Sequence, residues 1–185
     1  MTLPSDIADK LNLPLISGPM FLISGPELVI AACRAGVIGD FPTANCRTLG
    51  DLDEWLGRIL AETDGKAPFA PNLIVHKSNL RLNEDAALAA KHKAPLVIAS
   101  VGSSAPIMET IKGCGGRVFA DIASMRYAQK AIETGVDGLI LLTAGAGGQG
   151  LGQSLCLRAG FAGNLMMVPW YWLAELATAL HSRQR

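Results

Sequence analysis

Short apolar runs punctuate the chain: Pro14-Leu-Ile16, Val37-Ile38, Asn72-Leu-Ile-Val75, Leu96-Val-Ile-Ala99, Val118-Phe-Ala120 and Gly138-Leu-Ile-Leu-Leu142. They lack the polar/apolar alternation of a strand with one wet face, so each predicts a strand buried on both faces. Helix-compatible stretches follow them at Gly25–Gly36, Leu49–Glu62, Asn83–His92, Ala105–Cys114 and Ser124–Thr134. Ser24 stands where it can cap the first of these helices, and Gly36 where a left-handed residue can end it.

Strands that alternate with helices make a parallel sheet, so the pattern predicts an α/β fold. Successive later strands start a little over twenty residues apart, about the length of one strand, one helix and two short loops. Periodicity does not report whether a sheet closes. A doubly wound sheet and a (β/α)8 barrel are both compatible with it. A complete barrel takes about 250 residues, so a chain of 185 accommodates about six of its eight units.

Composition narrows the class. Half of the residues are hydrophobic, 17% are charged, and 16 basic side chains cancel 16 acidic ones. That is the material of one globular domain and not of a disordered segment. Without a basic stripe there is nothing to neutralise nucleic-acid phosphates, and the longest apolar runs, about five to seven residues, are too short to span a bilayer. The N-terminal stretch has no basic region followed by an apolar one, so no secretory signal is read and a cytoplasmic location is expected. Cys33, Cys46, Cys114 and Cys156 form no C-x-x-C pair, and with three histidines in the chain neither a disulfide framework nor a metal site is expected.

Candidate chemistry gathers where strands end. The strand at 138–142 runs into a loop containing Gly145, Gly147, Gly148, Gly150 and Gly152. Backbone without side chains can bring N–H groups against a flat cofactor or an anion, though a simple surface loop has the same composition. The loop is neither a Walker A sequence nor a dinucleotide fingerprint. Ser17-Gly-Pro-Met20 ends the first strand with a rigid turn and a polarizable Met, suited to backing an aromatic ring or to filling a core. Asn72 opens the third run as a ligand-binding or turn-capping amide. His76, Lys77, Ser78 and Asn79 lie at its exit, and Asp121 closes the fifth run, where it can serve a site or cap the next helix.

Taken in order, several of these pieces resemble the nitronate monooxygenase family, formerly the 2-nitropropane dioxygenases. They are Pro14-Leu-Ile-Ser-Gly-Pro-Met20, the Ala35–Gly39 turn, Asn72-Leu-Ile-Val-His-Lys77, Ser100-Val-Gly102 and Ala144-Gly-Ala-Gly-Gly148. The resemblance covers about residues 10 to 150 and implies an FMN-dependent TIM barrel that oxidises alkyl nitronates with O2 to a carbonyl compound and nitrite. It also implies that Pro19 and Met20 line the flavin ring, that Asn72 hydrogen-bonds the cofactor, and that Gly147 and Gly148 bring backbone against it. Where the family often has His, this chain has Gln149, an amide that can orient a substrate but cannot serve as a base near neutral pH. A related-barrel alternative is an NAD(P)H-dependent quinone or enoyl-thioester reductase. The sequence leaves the oligomeric state open.

Beyond Gly150 the strand–helix rhythm fails, and three aromatics crowd into Val168-Pro-Trp-Tyr-Trp172. Back-translated with permitted codons and read one nucleotide later, Gln149–Gly160 becomes Arg-Ala-Trp-Ala-Ser-Pro-Phe-Ala-Phe-Val-Arg. From Leu165, two nucleotides later, the reading is Asp-Asp-Gly-Pro-Leu-Val-Leu-Ala-Gly-Gly-Ile-Ser-Asp-Gly. Both resemble successive segments of the same family. The expectation is therefore a barrel part over 1–150 and a frameshifted tail over 151–185 that does not encode the family's phosphate-binding loops. The other possibility is a fragment without activity.

Overall fold

The computed structural model describes residues 5–142 and the strand at 166–169. Its elements are helix α1 (Ser5–Ala8), α2 (Pro26–Arg34), strand β1 (Gly39–Pro42), a short 3-10 turn (Thr43–Asn45), α3 (Leu49–Glu62), β2 (Phe69–Ile74), α4 (Leu82–Lys91), β3 (Leu96–Ser100), α5 (Ala105–Gly113), β4 (Arg117–Ile122), α6 (Met125–Glu133), β5 (Gly138–Leu141) and β6 (Met166–Pro169). All adjacent pairs are parallel and the spatial order is β1-β2-β3-β4-β5-β6. A parallel bridge between Ile16 and Ile38 adds a further neighbour on the outer side of β1.

A doubly wound sheet reverses its strand order at a switch point. No reversal occurs among the described strands, so that reading is excluded. The sheet winds in one direction with helices in every crossover but the undescribed one before β6, which is the (β/α)8-barrel arrangement, here incomplete.

The two faces of the sheet carry separate cores. On the helix side Val29, Cys33, Phe41, Leu52, Leu56, Leu73, Val97, Ile107 and Val118 pack together. On the inner side Ile16, Ile38, Ala70, Leu96, Ile98, Phe119 and Ile140 form a second cluster, which Ile7 of α1 closes from one end. Arg117 clamps α1 in place by donating to both carboxylate oxygens of Asp6, at 2.7 and 2.9 Å. This bidentate guanidinium holds the Asp6 carboxyl below the usual aspartate range.

Local signals in the sequence explain most boundaries. Thr48 and Asp51 cap α3 reciprocally, each side chain bonding the other's backbone N–H at 3.0 and 2.9 Å. Ser124 Oγ accepts the Tyr127 N–H at the start of α6. Gly36 ends α2 with φ +77°, as expected of a left-handed stop.

Three expectations need correction. The first run does not extend into a regular strand and contributes only the Ile16–Ile38 bridge. The second strand lies at Gly39–Pro42 and not at Val37-Ile38, because Val37 N–H still bonds back to Ala32 in the helix end. Ser24 does not cap α2. Its hydroxyl accepts the Met20 N–H and donates to Gly18, which folds the 18–24 turn instead and leaves Gly25 as the N-cap without a side-chain bond. The described strand β6 falls within the segment 151–185.

Candidate functional site at the carboxyl end of the strands

Parallel strands direct the start of every following helix toward one end of the sheet, and the polar residues of the inner face collect there. Asp40 shares the inner face with Ile38 two residues before it, Asn72 with Ala70, Ser100 with Ile98, and Asp121 with Phe119. Below them the inner face is apolar. Asn72, Ser100 and Asp40 are buried, at 5%, 5% and 0% exposure.

Asn72 Nδ2 donates to Ser100 Oγ at 2.6 Å. With its amide nitrogen so engaged, Asn72 offers its carbonyl oxygen as an acceptor. Sequence reading placed Asn72 at a strand start. It stands inside β2, paired with Pro42 on one side and Ile98 on the other. Asp121 Oδ1 accepts the Val101 N–H at 3.4 Å. Desolvation raises the Asp121 carboxyl above the usual range, opposed by the Ser100 hydroxyl and the Val101 amide. Asp121 does not cap α6, since Ser124 does.

Asp40 was not among the sequence candidates. Neither of its carboxylate oxygens has a hydrogen-bond partner among the described residues. Burial first, and the Asp121 charge second, push it well above the ordinary aspartate value. The signal in the sequence was a lone acid in a short buried strand, which becomes informative only once the strand's inward face is known.

Next to this polar set an apolar turn stands open to solvent. Met20, Phe21, Leu22 and Ile23 are 36%, 63%, 77% and 69% exposed, a contiguous patch of the kind that marks a binding surface. Pro19 is half-buried beside it. Leu22 has φ +62°, and Val101, just past the end of β3, has φ +63°. A left-handed β-branched residue such as Val101 is strained, and strain of this kind persists where surrounding structure holds it.

Asn45, also missed in the sequence, holds the turn. Its Oδ1 accepts Leu22 N–H at 2.8 Å, and its Nδ2 donates to Met20 O at 3.1 Å and Ser24 O at 2.8 Å. Replacing Asn45 with Ala removes all three bonds, each worth about 0.5–1.5 kcal/mol. The expected result is a loss of about 1.5–4.5 kcal/mol in urea unfolding together with at least about tenfold faster amide hydrogen exchange at Leu22.

His76 and Lys77 are exposed, and His76 Nδ1 pairs locally with Ser78 Oγ at 2.8 Å. Asn79 fastens the β2 exit by donating to Ile74 O at 2.9 Å. Arg81 straps this loop to the previous one, donating to Cys46 O, Arg47 O and Asp85. A cavity of about 340 Å³ lies between the two loops, bordered by Thr43, Ile74, Ser78 and Arg81 among others. Burial raises the thiol of Cys33 to about 11 and that of Cys46 to about 12, so neither is a nucleophile at neutral pH.

No group of three or more metal-ligating side chains occurs among the described residues, and none of their helices is long and apolar enough to cross a membrane. Gly147, Gly148 and Gln149, with the rest of the glycine-rich loop, lie outside the described residues. The structure thus brings Met20 and Pro19 to the same end of the sheet as Asn72.

The class that this architecture defines is the (β/α)8-barrel fold, here incomplete, with the candidate site at the carboxyl ends of its strands. Among solved structures the chain is similar to FabK from Thermotoga maritima, with a TM-score of 0.77 at 22% identity over 91% of this chain and 54% of that one. It is similar to nitroalkane oxidase from Streptomyces ansochromogenes, with a TM-score of 0.67 at 20% identity over 82% and 53%. The enoyl reductase domain of MlnA from the macrolactin biosynthesis cluster of Bacillus amyloliquefaciens matches with 0.68 at 19% identity over 88% and 49%. The chain spans about half the length of each. No protein-family model matches it, and no curated protein does.

Proposed function

We propose that this chain is an FMN-dependent oxidoreductase of the nitronate monooxygenase type, converting an alkyl nitronate and O2 to a carbonyl compound and nitrite. The observation that carries the reading is an exposed apolar turn at Met20–Ile23 at the same end of an incomplete barrel as the buried Asn72–Ser100 pair. A flavin ring has a flat apolar face and a polar edge with an N–H donor, and these two surfaces suit it. Pro19 and Met20 would back the ring and Asn72 would accept from its edge, with Gly147 and Gly148 supplying backbone contact. Bound FMN would supply the electron transfer. The protein's part is to hold the substrate in place: Gln149 orients it by hydrogen bonding, and because a nitronate arrives already deprotonated the substrate does not require a base there.

Likeness to FabK and to an enoyl reductase domain favours a second reading, an NAD(P)H-dependent reductase of quinones or enoyl thioesters. Purified protein with added FMN separates the two. Nitrite release from propyl nitronate without NADH supports the first, and NADH oxidation dependent on a quinone or enoyl thioester supports the second. A frame-corrected chain that takes up no flavin and does neither refutes both, whereas failure of this chain alone leaves a fragment without activity. Residues 151–185 are proposed to be a frameshifted tail. Sequencing the gene across the codons for Gly147–Arg185, and comparing bound flavin in this chain with a frame-corrected one, tests that directly.

A further inference from the structure

Asn72 and Ser100 are both buried on adjacent parallel strands, and Asn72 Nδ2 donates to Ser100 Oγ at 2.6 Å. A serine hydroxyl both donates and accepts, so taken alone it can meet either end of an amide. The surroundings of Ser100 remove that freedom. Ala99 pairs with Ala120, so the residues that follow, Ser100 and the half-buried Asp121, are neighbours on β3 and β4. Asp121 Oδ1 accepts the N–H of the strained Val101 at 3.4 Å, which sets the carboxyl against the Ser100–Val101 peptide. An ionised carboxyl has acceptors and no donor. Burial raises the Asp121 carboxyl, while the Ser100 hydroxyl and the Val101 amide pull it down, as two donors do. With its O–H directed at Asp121, Ser100 has only lone pairs to offer Asn72, and the amide must donate.

We propose that Ser100, backed by Asp121, is the positioning residue that locks the Asn72 amide with its carbonyl oxygen as the ligand-facing group, so that the site selects ligands whose buried edge carries an N–H donor. The consequence is selectivity more than bulk affinity. A ligand with a methyl group or an acceptor in place of that N–H leaves the Asn72 oxygen buried without a partner, which costs more than one ordinary hydrogen bond contributes. An amide free to rotate would turn its NH2 toward an acceptor and the distinction would fade. The donor order from Asn72 to Ser100 to Asp121 prevents that rotation. The ring N–H of a flavin is a donor of the required kind. That last step rests on the oxidoreductase reading above, whereas the orientation of the amide does not.

Ligand-free protein tests the orientation. By nuclear magnetic resonance of isotope-labelled wild type, the Asn72 side-chain NH2 is expected to exchange with solvent at least about tenfold more slowly than that of the exposed Asn83. Ser100→Ala removes the acceptor. Asp121→Asn keeps nearly the same shape but can donate to Ser100, which lets the hydroxyl turn round. Both variants are expected to speed exchange of the Asn72 NH2 at least about tenfold while the backbone amide of Leu73 in β2 exchanges as in wild type, a contrast that general loosening of the sheet does not give. Wild-type exchange as fast as at Asn83, or exchange unmoved by Ser100→Ala, overturns the proposal. A response to Ser100→Ala alone overturns the part given to Asp121. The wild-type measurement decides even where a variant fails to fold.

The selectivity is tested with FMN and with FMN methylated at the ring nitrogen that carries the proton, each titrated by flavin fluorescence into this chain and into a frame-corrected one. Wild type is expected to prefer the N–H form by at least about tenfold, and Ser100→Ala by less than about threefold. Equal binding of the two flavins by wild type, or a preference kept in Ser100→Ala, overturns the selectivity. Binding of neither flavin by either chain refutes the oxidoreductase reading and leaves the ligand-free result standing.

Discussion

Asn72→Asp is expected to empty the site and to make the fold pH-sensitive. The substitution preserves shape but replaces the amide nitrogen that donates to Ser100 at 2.6 Å with a second acceptor. It also places a third carboxyl on an inner face that already holds Asp40 and Asp121. An uncompensated buried charge costs about 3–5 kcal/mol. Its hydrogen-bond partner among the described residues is the neutral Ser100, so burial raises the folded-state value of the introduced acid. Stability is then retained below about pH 4 and lost as pH rises from there toward neutrality. Urea unfolding at a series of pH values checks this, and if Asn72 makes the proposed contact to a flavin, flavin per chain at neutral pH falls at least about tenfold. A variant whose stability and bound flavin match wild type would remove Asn72 from the site.

The second large effect is on the helix-side core. Phe41 is fully buried and packs against Trp55 of α3, the ring centroids 5.8 Å apart and tilted by 56°. Val29, Cys33, Leu52 and Leu56 belong to the same cluster. Phe41→Ala leaves a cavity where β1, α2 and α3 meet, at an expected cost of about 3–5 kcal/mol. Single domains have about 5–15 kcal/mol in all, so a thermal or urea midpoint shift should be plain. Because Phe41 lies on the helix-side face, the Asn72–Ser100 hydrogen bond on the inner face is expected to persist at low temperature.

Turn chemistry and helix ends were legible where a residue acts on its own neighbours. Gly36 ends α2 as read; Thr48 with Asp51 and Ser124 obey the same local rules, though neither cap was singled out in the sequence. Ser24 failed that reading because a tertiary turn competed for its hydroxyl: Met20 and Gly18 reach it before the helix does. Asn45 was invisible for the same reason, since its three partners lie 21 to 25 residues away in the chain.

The apolar runs and their separation determined by themselves that this chain builds parallel buried strands joined by helices, because burial on both faces leaves no other placement for unalternating Val, Ile and Leu. Position alone offered Asn72 as a strand-start residue, where the structure sets it inside β2, and Met20 as the end of a first strand that forms only the Ile16–Ile38 bridge. Whether the sheet turns in one sense or reverses was decided by strand pairing, which depends on contacts between segments about twenty or more residues apart. The face that each strand turns inward was decided there too. A four-residue strand such as Gly39–Pro42, buried at every position, carries no polar alternation from which to read its inward side. Only the register with β2, setting Asp40 beside Ala70, puts that acid on the barrel's inner face with Asp121.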